Sequence, residues 1–178
     1  VVRKIYKDIS GSVRADDWLA ISVICEKCGK VGTTKARNWD GETVEYTCGK
    51  FVEWADGCDY KGRISPFDGR AKLPWKVEWP AKFLVMGVHV EGGGKDHSTK
   101  GGAREIADAI ARQVFNIEPP LNIPYEFFQV GGKKMSSSKG AGSSSKEIAD
   151  LLPAELFRFL LIQKEPHKVL EFDPNGDT

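Results

Sequence analysis

The four cysteines of this chain all fall between Cys25 and Cys58, and they restrict its fold more than any other feature. Cys25-Glu26-Lys27-Cys28 is a C-x2-C knuckle followed by Gly29, and Cys48 is likewise followed by Gly49. The gap from Cys28 to Cys48 suits a zinc ribbon, but nine residues separate Cys48 from Cys58 where two are usual. The second knuckle therefore contains an insertion, Gly49 to Gly57, that loops out and returns. Four thiolates around one ion satisfy tetrahedral zinc and leave no open position, so such a site is structural. Val31 to Arg37 and Glu42 to Thr47 read as short strands joined by Asn38-Trp39-Asp40-Gly41, a hairpin with an Asp-Gly turn. A β-module this small has too little core to hold itself together, and bound metal would supply much of its stability. Buried free thiols are one alternative. Disulfides are another, and they need a secreted context that nothing in the chain indicates.

From Leu73 the pattern changes. Phe83-Leu84-Val85-Met86-Gly87-Val88-His89-Val90 is a continuous apolar run, which predicts a strand covered on both faces. A glycine-rich stretch follows from Glu91 to Gly102. A helix is then expected from about Ala103 to Phe115, with Ile106, Ala109, Ile110, Gln113 and Val114 on one face. Pro119-Pro120 stops it, and Tyr125 to Val130 reads as the next strand. Strand, glycine loop, helix and strand are the grammar of a doubly wound parallel sheet, an α/β class in which ligands sit at the carboxyl ends of the strands. The glycine loop lets backbone approach a nucleotide closely, and the helix start after it favours anions.

The second predicted strand leads into Gly131-Gly132-Lys133-Lys134-Met135-Ser136-Ser137-Ser138-Lys139-Gly140. Lysines bracketing a serine run suit polyphosphate: ammonium groups neutralise charge on a leaving phosphate, and hydroxyls and backbone N–H groups add hydrogen bonds. A solvated Gly/Ser linker is the alternative. Met135 argues against it, because a linker has no use for an apolar residue there. Beyond the loop, a serine among Ser143 to Ser145 caps a helix through Ile148, Leu151 and Leu152, and Pro153 opens a second helix from Ala154 to Ile162. The aromatic residues of that helix are expected in a core.

Lys134 to Ser138 resembles the KMSKS signature of class I aminoacyl-tRNA synthetases, with serine in place of the second lysine and Lys139 following directly. Together with Gly92-Gly93-Gly94-Lys95-Asp96-His97, Leu73 to Trp79 and the cysteine segment, in that relative order, the chain resembles the class I lysyl-tRNA synthetases from about Asp17 onward. The resemblance implies a Rossmann-like nucleotide-binding sheet with an inserted zinc ribbon and C-terminal helices. It divides the chain into the end of a connective segment (1–19), the zinc-ribbon insertion (20–72), the second half of the catalytic domain (73–142) and the start of a helical region contacting the tRNA stem (143–178). By resemblance Gly93, Gly94, Asp96 and His97 bind ATP, with Asp96 toward the ribose hydroxyls. Lys134, Met135, Ser136, Ser137, Ser138 and Lys139 form the catalytic loop, with Lys134 on the pyrophosphate and Lys133 adding field. Trp75, Glu78 and Trp79 lie beside the amino-acid site, where tryptophan faces cover a lysine stem and a carboxylate pairs its ammonium. Core anchoring is the alternative for both tryptophans. The implied cofactors are ATP, Mg2+ and structural Zn2+, held by Cys25, Cys28, Cys48 and Cys58. The implied partners are L-lysine, tRNA(Lys) and the remainder of a synthetase chain, in the cytoplasm. A zinc-ribbon nucleic-acid-binding module without catalysis, or a glutamyl or cysteinyl synthetase of the same class, are the competing readings.

Composition agrees with a soluble globular protein: 178 residues, 40% apolar, 29% charged and a net charge of +1, so that any contact with nucleic acid must come from a local patch. No apolar run reaches membrane-spanning length. The chain opens Val1-Val2-Arg3 and closes on a turn-like sequence, and reads as a piece of a longer protein. Its histidines are His89, His97 and His167, and none lies in the His-x-Gly-His-like element that class I synthetases need. The isolated chain is therefore expected to lack useful aminoacylation activity.

Overall fold

The computed structural model describes residues 1–130, 133–134 and 145–172, and shows a mixed α/β fold with small sheets. The chain forms two compact units, Val1–Val88 with Gly101–Pro119, and His89–Lys100 with Pro120–Thr178. Among the described residues no helix is long and apolar enough to cross a membrane.

The first unit holds two cores. One is helical and joins α1 (Val2–Ser10), α2 (Trp75–Met86) and α3 (Ala103–Gln113) through buried Ile5, Tyr6, Val77, Ile106 and Ile110. Spacings of three and four residues put Ile106, Ala107, Ile110 and Ala111 on one side of α3, against which α1 and α2 pack. The other core is a β-module. Here β1 (Ser22–Val23) pairs antiparallel with β5 (Ala71–Lys72), and β2 (Thr34–Arg37), β3 (Val44–Cys48) and β4 (Lys61–Ile64) form an antiparallel sheet in that order. Alternation along β2 and β3 sends Thr34, Ala36, Val44, Tyr46 and Cys48 inward.

The expected hairpin is present, with Arg37 opposite Glu45. Asn38 and Gly41 take positive φ, 51° and 106°, as its turn demands. The Asp40 carboxylate accepts the N–H groups of Glu42 and Thr43 and the Thr43 hydroxyl, and it receives Arg63 from β4.

The run from Phe83 to Val90 is not one strand. Phe83 to Met86 form the last turn of α2, which Gly87 ends in a left-handed conformation, and the strand begins only at Val90. A short apolar run does not distinguish a helix turn from a buried strand by periodicity, and Pro80 inside α2 conceals the helix further.

In the second unit β6 (Val90–Gly94) and β7 (Leu121–Tyr125) pair in parallel, Gly94 opposite Tyr125. The glycines Gly92 to Gly94 therefore belong to a strand and not to the expected loop, which is reduced to a 3-10 turn, Lys95–His97, and the residues after it. The strand expected from Tyr125 to Val130 is also divided. Tyr125 ends β7, and Phe128–Val130 is β8, which pairs in parallel with β10 (Leu170–Phe172) and antiparallel with β9 (Lys133–Lys134). The break falls where the Glu126 amide turns away to the Pro166 carbonyl, at 2.7 Å.

Helices α4 (Ser145–Leu151) and α5 (Ala154–Ile162) complete the unit, with Pro153 in the N-cap position of α5. The expectation of a packed α5 is corrected. No α5 residue is buried, and Phe159 is 60% exposed. Its apolar residues surround the helix instead of forming a single stripe, so no one packing face could take them all.

Candidate functional site

The β-module brings the four cysteines together. Cys25 and Cys28 flank the knuckle that ends at Gly29, Cys48 closes β3, and Cys58 follows the inserted loop. All four Sγ atoms lie within 4.8 Å of one another, with Cys25 to Cys58 at 3.6 Å and Cys28 to Cys48 at 3.7 Å. Sulfurs about 2.3 Å from a tetrahedral ion stand about 3.8 Å apart, so the donor set suits a thiolate-held metal. Cys25 and Cys48 are buried, and all four thiols are free of disulfides. Burial opposes ionisation of Cys25, but the Cys28 and Lys27 amides and neighbouring thiols outweigh it and bring that thiol down to about 7. At Cys58 the Tyr60 amide favours the thiolate, yet burial and the other thiols together push it to about 11. A divalent cation among these sulfurs would supply the charge that favours the Cys58 thiolate. Cys48 Sγ also receives the Cys58 N–H at 3.4 Å and lies 3.3 Å from the Thr33 hydroxyl.

A second constellation lies at the carboxyl ends of β6 and β7. Lys95, directly after β6, reaches Glu126, directly after β7, at 2.6 Å, and its ammonium also sits 4.9 Å from the centre of the Phe127 ring. Hydrogen bonding from Lys95 holds the Glu126 carboxyl below its usual range. Lys95 is thus engaged and not simply solvated. Gly93 is buried, and at Gly94 a Cβ would stand 2.8 Å from Asp96 Oδ1. Asp96 and His97 are exposed on the turn. Of the expected catalytic loop, Lys134 lies in β9 opposite Gln129. Met135, Ser136, Ser137, Ser138 and Lys139 lie outside the described residues.

Trp75, Glu78 and Trp79 occupy the first turns of α2, where helical spacing sets Trp75 and Trp79 on one side with ring centres 5.8 Å apart. Glu78 pairs with Lys82 at 2.9 Å, and that hydrogen bond lowers its carboxyl. Any ligand ammonium drawn to Glu78 competes with Lys82.

Residues 1–177 match the family described as tRNA synthetases class I (K). The chain belongs to that family. Among its curated relatives, the lysine–tRNA ligase of Methanosarcina barkeri strain Fusaro is 40% identical over 176 residues, 97% of this chain and 31% of that protein. Lysine–tRNA ligase 1 of Methanosarcina acetivorans is 39% identical over the same shares, and the Thermoplasma volcanium ligase is 36% identical over 97% of this chain and 33% of its own length. The chain spans about a third of the length of the curated relatives it matches.

Three groups in this class I synthetase chain were not legible in advance. Arg104, 4% exposed, lies over Phe83 and Trp79 at 5.4 and 6.0 Å and bonds Asp108 at 2.7 Å, so a guanidinium already adjoins the aromatic surface expected to meet a ligand ammonium. The Lys95–Glu126 pair spans 31 positions of sequence, and Thr33 meets Cys48 only through the sheet. The i,i+4 spacing of Arg104 and Asp108 is the one local signal among these.

Proposed function

We infer that the chain is the second half of the catalytic domain of a class I lysyl-tRNA synthetase (73–142), with a zinc-ribbon insertion (20–72) and the start of a helical stem-contact region (143–178). The parent protein activates lysine with ATP, releases pyrophosphate and transfers lysine to tRNA(Lys) in the cytoplasm. The observation that carries this reading is the parallel β6–β7 pair whose carboxyl ends are tied by Lys95 and Glu126. Doubly wound sheets bind nucleotides at such ends. The tie joins the turn after Gly94 to the segment that continues from Glu126 into β8, which pairs with Lys133–Lys134.

In this arrangement backbone at Gly93 and Gly94 admits the adenosine end of ATP, and Asp96 accepts ribose hydroxyls. Lys134, with Lys133 and Lys139, neutralises charge on the departing pyrophosphate, while Ser136 to Ser138 donate hydrogen bonds. Activation is in-line attack of the lysine carboxylate on the α-phosphate, so positioning and charge stabilisation provide most of the rate. Mg2+ bound with ATP neutralises triphosphate charge. Trp75, Trp79 and Glu78 form one side of the amino-acid site. Zinc, held by Cys25, Cys28, Cys48 and Cys58, supplies folding energy to the module and no chemistry. The names of the relatives favour lysine over glutamate or cysteine.

Calorimetric titration of the 178-residue chain with ATP tests the reading. Measurable affinity that falls about tenfold or more in Lys134→Ala, as expected when a charge-assisted phosphate contact is lost, supports it. Affinity unchanged in Lys134→Ala, with tRNA still bound, would instead identify a nucleic-acid-binding ribbon without a nucleotide site.

A further inference from the structure

Thr33 directly precedes β2 and is fully enclosed, with no exposed surface. It holds the end of β3 at two points. Its carbonyl accepts the Gly49 N–H at 2.9 Å, and its hydroxyl lies 3.3 Å from Cys48 Sγ. Among the described residues that sulfur is the hydroxyl's one hydrogen-bonding partner. Apolar packing does not call for an oxygen there. A valine of nearly the same shape would fill the space without a polar group that burial obliges to find a partner.

The other contacts to the four sulfurs differ in kind. Cys25 takes the backbone amides of Cys28 and Lys27, Cys58 takes that of Tyr60, and Cys48 takes that of Cys58. Any residue but proline supplies such an N–H, so these contacts follow from the path of the backbone. The Thr33 hydroxyl is, among the described residues, the one side-chain partner from outside the cluster, and it depends on residue identity. Its direction is also fixed by chemistry. As a thiol Cys48 could donate to Thr33 or accept from it, but a metal-holding thiolate has no proton, and Thr33 can then only donate.

We propose that Thr33 is a positioning residue for the metal site, its hydroxyl donating to the Cys48 thiolate and fixing that sulfur toward the other three. The inference rests on the four-cysteine metal reading and adds to it a residue outside the ligand set. Donation draws charge from the sulfur and favours thiolate over thiol. The Gly49 amide on the Thr33 carbonyl keeps the hydroxyl aimed. Outer contacts of this kind hold roughly 10–100-fold in metal affinity.

Titrations of the 178-residue chain with Zn2+ and Co2+ test this, with affinity read by competition against a chromophoric chelator. Zinc affinity is expected to fall about tenfold or more in Thr33→Val and Thr33→Ala and to recover in Thr33→Ser. Loss of the donor leaves the sulfur electrons easier to remove, so the sulfur-to-cobalt charge-transfer band should move to lower energy in both hydroxyl-free variants and return in Thr33→Ser. Valine and alanine differ in volume but not in hydrogen bonding, so a residue that merely fills space would leave that band unmoved. An unmoved band in both, or Thr33→Ser as weak as Thr33→Val, would overturn the proposal. Should Thr33→Val fail to fold, as read by circular dichroism of the helices, Thr33→Ala against Thr33→Ser carries the same comparison. Metal held equally tightly by the parent and both hydroxyl-free variants defeats this inference alone. A parent chain without a tetrahedral thiolate–cobalt spectrum defeats the metal reading and the role of Thr33 with it.

Discussion

Asp40 shows how one side chain can specify a turn. Its carboxylate takes two backbone N–H groups, at 2.9 Å from Glu42 and 2.7 Å from Thr43, and then reaches across the sheet to Arg63, which also bonds Glu45. Those amide bonds, first from Thr43 and then from Glu42, hold the carboxyl far below its ordinary range. A carboxyl depressed in the folded state stabilises the protein above its unfolded pKa, about 3.9, and loses that contribution as pH falls through the lower folded value. Asp40→Ala should therefore melt lower than the parent by a constant margin from about pH 5 to 7, with the margin narrowing below about pH 4. A margin independent of pH down to about 2 would show that the charge of Asp40 plays no part.

Elements differed in how far they could be read from the chain. The β2–β3 hairpin and α3 carried local signals, Asp-Gly between alternating runs and an apolar face spaced by threes and fours, and both formed. Helix α2 did not, because Pro80 and the unbroken apolar run from Phe83 mask a helix whose boundaries depend on Pro74 and Gly87. Helix α1 lay in a segment read only as connective, and what gives it a place is Ile5 and Tyr6 packing on α3 about a hundred positions away. The cysteine spacing signalled a cluster, while the neighbours of that cluster, Thr33 and the Cys58 amide at Cys48, needed the sheet register. The two cores of the first unit also predict different responses to chelation. The β-module is filled by small strands and the thiols themselves, whereas Ile106 and Ile110 are wholly buried among helices. Stripping metal should raise hydrogen exchange in β2, β3 and β4 toward that of an unfolded chain, leaving α3 protected. Full protection of that sheet in metal-free protein, or in Cys48→Ser, would mean that the module folds on its own apolar contacts.

At the scale of the whole molecule, apolar surface is distributed unlike that of a self-sufficient domain. Val85 and Met86 at the end of α2 are 83% and 72% exposed, Leu121 on β7 is 66% exposed and Ile162 at the end of α5 is 78% exposed. Single exposed apolar residues are ordinary, but these recur on several elements of a chain that covers about a third of its relatives' length. A parallel pair such as β6–β7 is also uncommon as a free-standing sheet, since parallel strands are normally covered on both faces. The glycine-rich and lysine-serine segments are present in the sequence, yet no His-x-Gly-His-like element occurs among the 178 residues. On the proposed reading, the lysines around Lys134 would then have no opposing group to hold ATP in the in-line geometry, and a misplacement of even 1 Å costs on the order of a hundredfold in rate. The isolated chain is therefore expected to charge tRNA no faster than its Lys134→Ala variant in a steady-state aminoacylation assay. It should also associate with itself, as seen by light scattering, and Val85→Lys combined with Ile162→Lys should reduce that association while leaving bound metal unchanged. Charging by the parent chain clearly above the Lys134→Ala control would show that these residues make a working site by themselves.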